Sequence, residues 1–234
     1  MKTYPVGSTL RGRRGGVFYT LEGGEGSGKS SLAKELALWL FDEFGIRPIL
    51  KSEPGGTEVS EEIRKTLLKK GRKLDPMAEA LLFQASRAEL VSKVIKPALD
   101  NGRVVILDRY MDSSIAYQGG GRGLGVDVIH YLNDLSTQGL VPDLTFLLDI
   151  DPETGIERKN KDGSLNRLDL EKIEFHKKVR YEYLREAVQD TKGRFVVINA
   201  TASPEEVLYI AKEASCQQLR QCGYIEGVRK GKER

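Results

Sequence analysis

One stretch constrains this chain more than any other. Gly23, Gly24, Glu25, Gly26, Ser27, Gly28, Lys29 and Ser30 run consecutively, after an apolar run at 17–21 and before an amphipathic helical pattern. The stretch satisfies G-x-x-x-x-G-K-[ST] in full. Its glycines let backbone N–H groups curl around phosphate oxygens, and a helix starting there turns its positive end to the same anion. Lys29 is suited to bridge the β- and γ-phosphates, and the Ser30 hydroxyl to ligate Mg²⁺. Residues 23–31, Ser31 included, are therefore expected to bind ATP. A plain glycine-rich turn is the bland alternative, and the strand before it and the helix after it weigh against that. The motif points to a nucleoside triphosphate and leaves the reaction open.

Four further β-type runs follow, at 47–51, 103–107, 144–150 and 194–198. The third and fourth runs of the five are almost continuously apolar, as parallel strands covered on both faces must be. Helical patterns separate the runs. Leu32, Leu36, Trp39 and Leu40 share a helix face, and Gly45 stands where a C-terminal cap belongs. Asp75 and Pro76 form an N-cap followed by proline at the first helical position, and Ser203 to Glu206 adds a capping box to that device. Phe175, Val179, Tyr183 and Ala187 recur every fourth residue. Strands alternating with helices predict a doubly wound α/β sheet, with ligands bound at the carboxyl ends of the strands.

Composition narrows the classes. With 234 residues, 39% hydrophobic and 30% charged, the chain suits one globular domain with a sizeable core. Body boundaries are expected at 17 and 215, with an extension at 1–16 and another at 216–234 ending in a basic tail. Arg11, Arg13 and Arg14 near the start, and Arg229, Lys230, Lys232 and Arg234 at the end, read as solvated terminal charges. A net charge of +3 gives no argument for a nucleic-acid partner, and no run approaches the roughly 20 apolar residues of a membrane span. Cys216 and Cys222 match no zinc or redox spacing, which suits a reduced cytoplasmic protein. His130 and His176 lack surrounding ligands and receive no metal role.

Three kinds of protein share such a phosphate-binding loop: a switch GTPase, an ATPase coupled to a partner, and a small-molecule kinase. An N-K-x-D guanine motif does not occur in the chain. The third strand ends in Asp108-Arg109-Tyr110. Asp108 can hold the Mg²⁺ water shell or approach the acceptor. A cation at Arg109 suits an anionic acceptor near the transferred group, although a structural ion pair would use the same residues.

At this point a family resemblance becomes visible. The segments 22–31, 53–57 (Glu-Pro-Gly-Gly-Thr), 83–87 (Phe-Gln-Ala-Ser-Arg), 108–110, 116–123 (Ala-Tyr-Gln-Gly-Gly-Gly-Arg-Gly) and 142–145 resemble, in order, the motifs of thymidylate kinases. The resemblance spans roughly residues 17–212. It implies a P-loop fold with strand order 2-3-1-4-5, a lid, a homodimer, and transfer of the γ-phosphoryl group of ATP to dTMP. It also implies roles. Glu25 is similar to the acid at the acceptor 3′-hydroxyl, and Arg64 and Arg109 to the arginines on the dTMP phosphate. Phe83 resembles the ring that stacks on thymine, and Arg87 the donor to its carbonyl. Ser114 and Gln118 match positions facing the base, and Tyr117 the tyrosine near the sugar 2′ position. Glu53 and Pro54 belong to the same pocket, with a cis bond between them. A kinase of another monophosphate such as dUMP, or an ATPase that controls a protein partner, stays open as an alternative.

Phosphoryl transfer needs water excluded and negative charge met by a cation. The polar, basic segment 157–167 suits a lid. Gly26 follows Glu25 where some thymidylate kinases carry an arginine, so the chain resembles the branch that supplies lid arginines instead. Arg158 and Arg167 are preferred over Lys159 and Lys161, because a planar fork holds two phosphate oxygens. Asn160 and Asp162 fall where the bacterial pattern often has arginine.

Overall fold

The computed structural model describes residues 15–161, 163 and 165–225. Residues 1–14 and 226–234, and with them the basic clusters at both ends, lie outside the described residues, as does Asp162.

Strand β1 (Val17–Gly23) is buried along its whole length. It can be, because both neighbours in the sheet are parallel and helices cover both faces. β3 (Val104–Asp108) pairs on one side, with Thr20 opposite Leu107, and β4 (Leu144–Asp149) on the other, with Thr20 opposite Thr145. The two buried threonine hydroxyls satisfy each other at 2.9 Å. β2 (Ile49–Ser52) and β5 (Phe195–Asn199) form the edges, and each leaves part of its length exposed. The sheet is parallel throughout, with the expected order β2-β3-β1-β4-β5.

Helix α1 (Lys29–Phe44) starts from Gly28 and ends at Gly45, both in the left-handed region, where the Gly45 N–H closes the helix on the Phe41 carbonyl. With α9 (Pro204–Gln221) it covers one sheet face over a core of Tyr19, Leu36, Leu40, Phe146, Ile198 and Leu219. Asp75 caps α3 (Pro76–Leu90), and Ser203 caps α9, as read from sequence. α3 passes through a π-helical turn, Val91–Ile95, into α4 (Lys96–Asp100) and covers the other face with Leu90, Val91 and Ile95 against Phe18 and Leu107. α2 (Glu58–Leu68) lies beside α3, while α6 (Val126–Thr137) joins α3 through Gln84 and Asn133.

One boundary differs from the sequence reading. The expected domain end at 215 lies inside α9, because its buried spacing, Val207, Ala211, Ser215, Leu219, continues past it. Fully burying a leucine such as Leu219 is worth about 1.5–3 kcal/mol, so this turn belongs to the core. Of the expected lid, residues 157–161 belong to α7 (Pro152–Lys161), which takes in Arg158, and the next helix is α8 (Ile173–Gln189).

Candidate active site

A cleft of about 950 Å³ opens at the carboxyl ends of β1, β2 and β3. One end is lined by Glu25 to Ser31, and the other by Pro54, Arg64, Phe83, Ser114, Tyr117 and Gln118; Asp108 and Arg109 lie on its wall as well.

At the first end, the loop leaves β1 and enters α1 without a break. Lys29 folds back on its own loop. Its Nζ donates to the carbonyls of Gly23 (3.0 Å) and Gly24 (2.6 Å) and to Ser27 Oγ (3.0 Å), so Gly23 and Gly24 lie behind the wall as lysine acceptors. Burial and the nearby Arg109 push the Lys29 ammonium down to about 8, against the pull of Glu25 and Asp108. The Ser30 hydroxyl donates to the Asp108 carboxylate, which brings the two expected metal ligands together. Among the described residues, no group of three or more His, Cys, Asp or Glu is arranged to hold a metal. Gly26 has φ 65°, and a Cβ there would come within 2.0 Å of the Gly155 carbonyl of α7. A side chain at 26 therefore has no room while α7 is packed on the loop.

Between the ends stands Arg109, with φ 71°. Its Nη2 donates to Glu25 Oε1 at 2.8 Å, and its guanidinium lies 5.0 Å over the Tyr117 ring. The Tyr117 hydroxyl donates to the same Glu25 oxygen at 2.8 Å. Burial alone would raise the Glu25 carboxyl, but Arg109, Lys29 and Tyr117 outweigh it and bring it down to about 2. Glu22, buried at the end of β1, holds the turn that presents Arg109. It accepts from Tyr110 N–H (2.8 Å), Ser113 Oγ (2.6 Å) and Tyr183 OH (2.9 Å). Burial, and then repulsion from Asp112, push its carboxyl up to about 7.

At the second end, α5 (Met111–Ser114) runs into a π-helical turn, Ile115–Gly121, that carries Tyr117 and Gln118. Its glycines let α8 approach: a Cβ on Gly120 would meet the Glu182 side chain at 2.1 Å, and one on Gly121 the Phe175 ring at 2.6 Å. Ser114 Oγ is buried without a partner among the described residues. Arg64 Nη1 donates to the Pro54 carbonyl at 2.6 Å, and the Glu53–Pro54 bond is cis. Glu53 Oε2 is paired with Arg87 (2.9 Å) while Oε1 has no partner among the described residues, and burial outweighs Arg87 to push this carboxyl up to about 7.

Two residues stand elsewhere than the sequence reading put them. Arg87, expected at a base carbonyl, is 1% exposed and is not part of the cleft wall. It donates to Glu53, Gln84 (3.0 Å), Asn133 (2.7 Å) and the Tyr110 carbonyl (3.0 Å), because a buried guanidinium must satisfy its donors. Arg167, expected as a lid cation, is also buried: Nη2 donates to Glu79 (2.7 Å) and Nε to the Leu67 carbonyl (2.8 Å). Arg158, Lys159 and Lys161 do line the cleft, with Arg158 Nη1 resting on the Ala200 carbonyl at 2.9 Å.

Sequence reasoning missed Glu22, Glu79 and Asp169. Glu22 had a signal, as an acid inside a strand otherwise apolar. Glu79 had one too, lying four residues before Phe83 on the same helix face. Asp169 lies just beyond the lid, where burial and then the Glu25 charge push it up to about 6; no spacing rule links those two positions.

The decisive comparison is with a family model: the thymidylate kinase model matches residues 21–209. This chain belongs to the thymidylate kinase family. The thymidylate kinase of Oenococcus oeni is 45% identical over 208 residues, covering 88% of this chain and 97% of its own. That of Clostridium novyi is 44% identical over 195 residues, covering 82% and 94%. The crystal structure of the Ehrlichia chaffeensis thymidylate kinase superposes with a TM-score of 0.69 at 35% identity, covering 86% of this chain and 99% of that one. The family's members are kinases, and the fold here is theirs.

Proposed function

We propose that this chain transfers the γ-phosphoryl group of ATP to dTMP, giving dTDP and ADP for dTTP synthesis. The carrying observation is the Arg109–Glu25 pair, which stands in one cleft of about 950 Å³ between the phosphate-binding loop and a far end lined by Arg64, Phe83, Ser114, Tyr117 and Gln118. An ATPase that serves a protein partner has no use for that far end.

ATP lies along residues 23–31, with Lys29 leaving its resting carbonyls for the β- and γ-phosphates. Ser30 and Asp108, hard oxygen donors side by side, suit Mg²⁺. When bound, Mg²⁺ neutralises charge on the phosphates. The acceptor's base stacks on Phe83 with Ser114 and Gln118 at its edge, and Glu53 and Pro54 close the pocket wall. Arg64 and Arg109 hold its phosphate; Glu25 takes the 3′-hydroxyl, and Tyr117 occupies the 2′ side. Arg87 acts from below, by holding Glu53. An oxygen of the acceptor phosphate attacks the γ-phosphorus as the bond to the β,γ-bridging oxygen breaks, and ADP departs. That oxygen is already anionic, so positioning and charge do the catalysis. Gly155 excludes a side chain at Gly26, which favours Arg158 of α7 as the cation over the loop.

The chain works as a cytoplasmic homodimer, without nucleic acid or membrane. Met77 and Leu81 on α3, and Val128, Tyr131 and Leu135 on α6, form exposed apolar stripes on helices packed together, a face suited to a second copy. No helix among the described residues is long and apolar enough to cross a membrane. The test of the reaction is chromatography of an ATP, Mg²⁺ and dTMP incubation. Stoichiometric ADP and dTDP support it, whereas ADP with free phosphate and unchanged dTMP would refute it.

A further inference from the structure

We propose that Glu79 sets the hydrogen-bonding sense of Gln118, and thereby makes the pocket select a base whose edge offers an N–H at the imino position. The inference rests on the acceptor placement given above. Glu79 is fully buried, on the face of α3 that carries Phe83, and no step of the reaction uses it. A buried carboxylate only accepts hydrogen bonds, so it dictates which end of a neighbouring amide turns toward it. Gln118 Nε2 donates to Glu79 Oε1 at 2.9 Å. The amide carbonyl then points away, with no hydrogen-bond partner among the described residues, from a side chain on the cleft wall.

The carboxylate cannot easily let go or turn. Arg122 grips both of its oxygens, Nε on Oε1 (3.1 Å) and Nη2 on Oε2 (3.0 Å), and Arg167 adds Nη2 on Oε2 at 2.7 Å. Arg122 is itself held by Glu171 at 2.7 Å and lies 4.7 Å over the Phe175 ring. These cations keep Glu79 ionised: burial alone would raise its carboxyl, and their hydrogen bonds lower it instead. A fixed acceptor at Gln118 Oε1 matches the imino N–H of thymine or uracil. It meets a lone pair at the same place on cytosine, which leaves two acceptors face to face.

The test is kcat/KM for dTMP, dUMP and dCMP in Glu79→Gln, whose own amide can donate to Gln118 and reverse it. dUMP against dCMP isolates the base edge from the methyl group. We expect the dTMP:dCMP and dUMP:dCMP ratios to fall at least about tenfold. The double swap Glu79→Gln with Gln118→Glu should restore them, because the new amide at position 79 then donates to a side chain that can only accept. Equal losses for all three acceptors, with ratios unchanged, would overturn the proposal. Glu79→Asp, which keeps the charge but not the reach, gives the same test should Glu79→Gln not fold. Gln118→Ala separates the two layers: unchanged ratios there would sink the acceptor placement itself, whereas altered ratios there with unchanged ratios in both Glu79 variants would sink only the role of Glu79.

Discussion

In the proposed reading, the donor end of the cleft comes mainly from one segment, and the acceptor end from four. Residues 25–31 line the donor end, in one run from the end of β1 to the first turn of α1. The acceptor pocket takes Pro54 from the loop after β2, Arg64 from α2, Phe83 from α3, and Ser114, Tyr117 and Gln118 from the turn after β3. The donor end relies on backbone geometry, Lys29 and the Ser30–Asp108 pair, with Arg158 beside them. The acceptor end depends on buried carboxylates, Glu22, Glu53 and Glu79, each holding a neighbour in place. A site that binds an invariant group, a polyphosphate, can be local. A site that must tell one base from another needs side chains arriving from several directions, and buried polar groups to aim them.

This contrast can be broken first at its donor end. Lys29→Ala should lower kcat by about a hundredfold or more, since a pre-organised charge on the transferred group is lost, while thermal stability is little changed. Near-normal turnover in a folded Lys29→Ala protein would remove the lysine from the mechanism. The two arginines first expected in the lid should then part company. Arg158→Ala, at the cleft wall, is expected to lower kcat more than tenfold with the KM for dTMP retained. Arg167→Ala, which strips a partner from buried Glu79, is expected to lower the melting temperature and weaken dTMP. Steady-state kinetics beside a thermal melt distinguishes them, and the reverse pattern would exchange their roles.

How much of this was legible in the sequence follows the same division. The donor loop could be read residue by residue, because consecutive residues make it. So could the strands and their order, the latter through the family resemblance, and the caps at Gly45, Asp75 and Ser203. What could not be read were contacts between residues far apart in the chain. The resemblance sets Arg87 at a base carbonyl and the planar fork favours Arg167 as a lid cation, but the carboxylates that bind them, Glu53 and Glu79, lie 34 and 88 residues away. The π-helical turns left no periodic signal either, since both sit within segments that count as ordinary helix or glycine loop.

Acidity sharpens the comparison further. Lys29 must be protonated to meet ATP, and its depressed ammonium loses that proton as pH rises through about 8. kcat/KM for ATP should therefore fall about tenfold per pH unit above that point, with kcat at saturating ATP flat to about pH 9, since bound phosphates hold the proton. A flat kcat/KM profile to about pH 10 would show that the lysine stays charged in the unliganded enzyme. A smaller effect is expected at the acceptor end. Phe83→Ala should raise the KM for dTMP by an amount equivalent to about 1–3 kcal/mol of lost stacking, leaving the KM for ATP alone. An equal rise in both would mean that the ring supports the whole cleft.

The most direct test of the division of labour is kcat/KM across dTMP, dUMP, dCMP, dAMP and dGMP at fixed, saturating ATP. A slot built around Phe83 and Gln118 should put dTMP first and both purines last. A purine at the head of that ranking would contradict the assignment of the acceptor pocket.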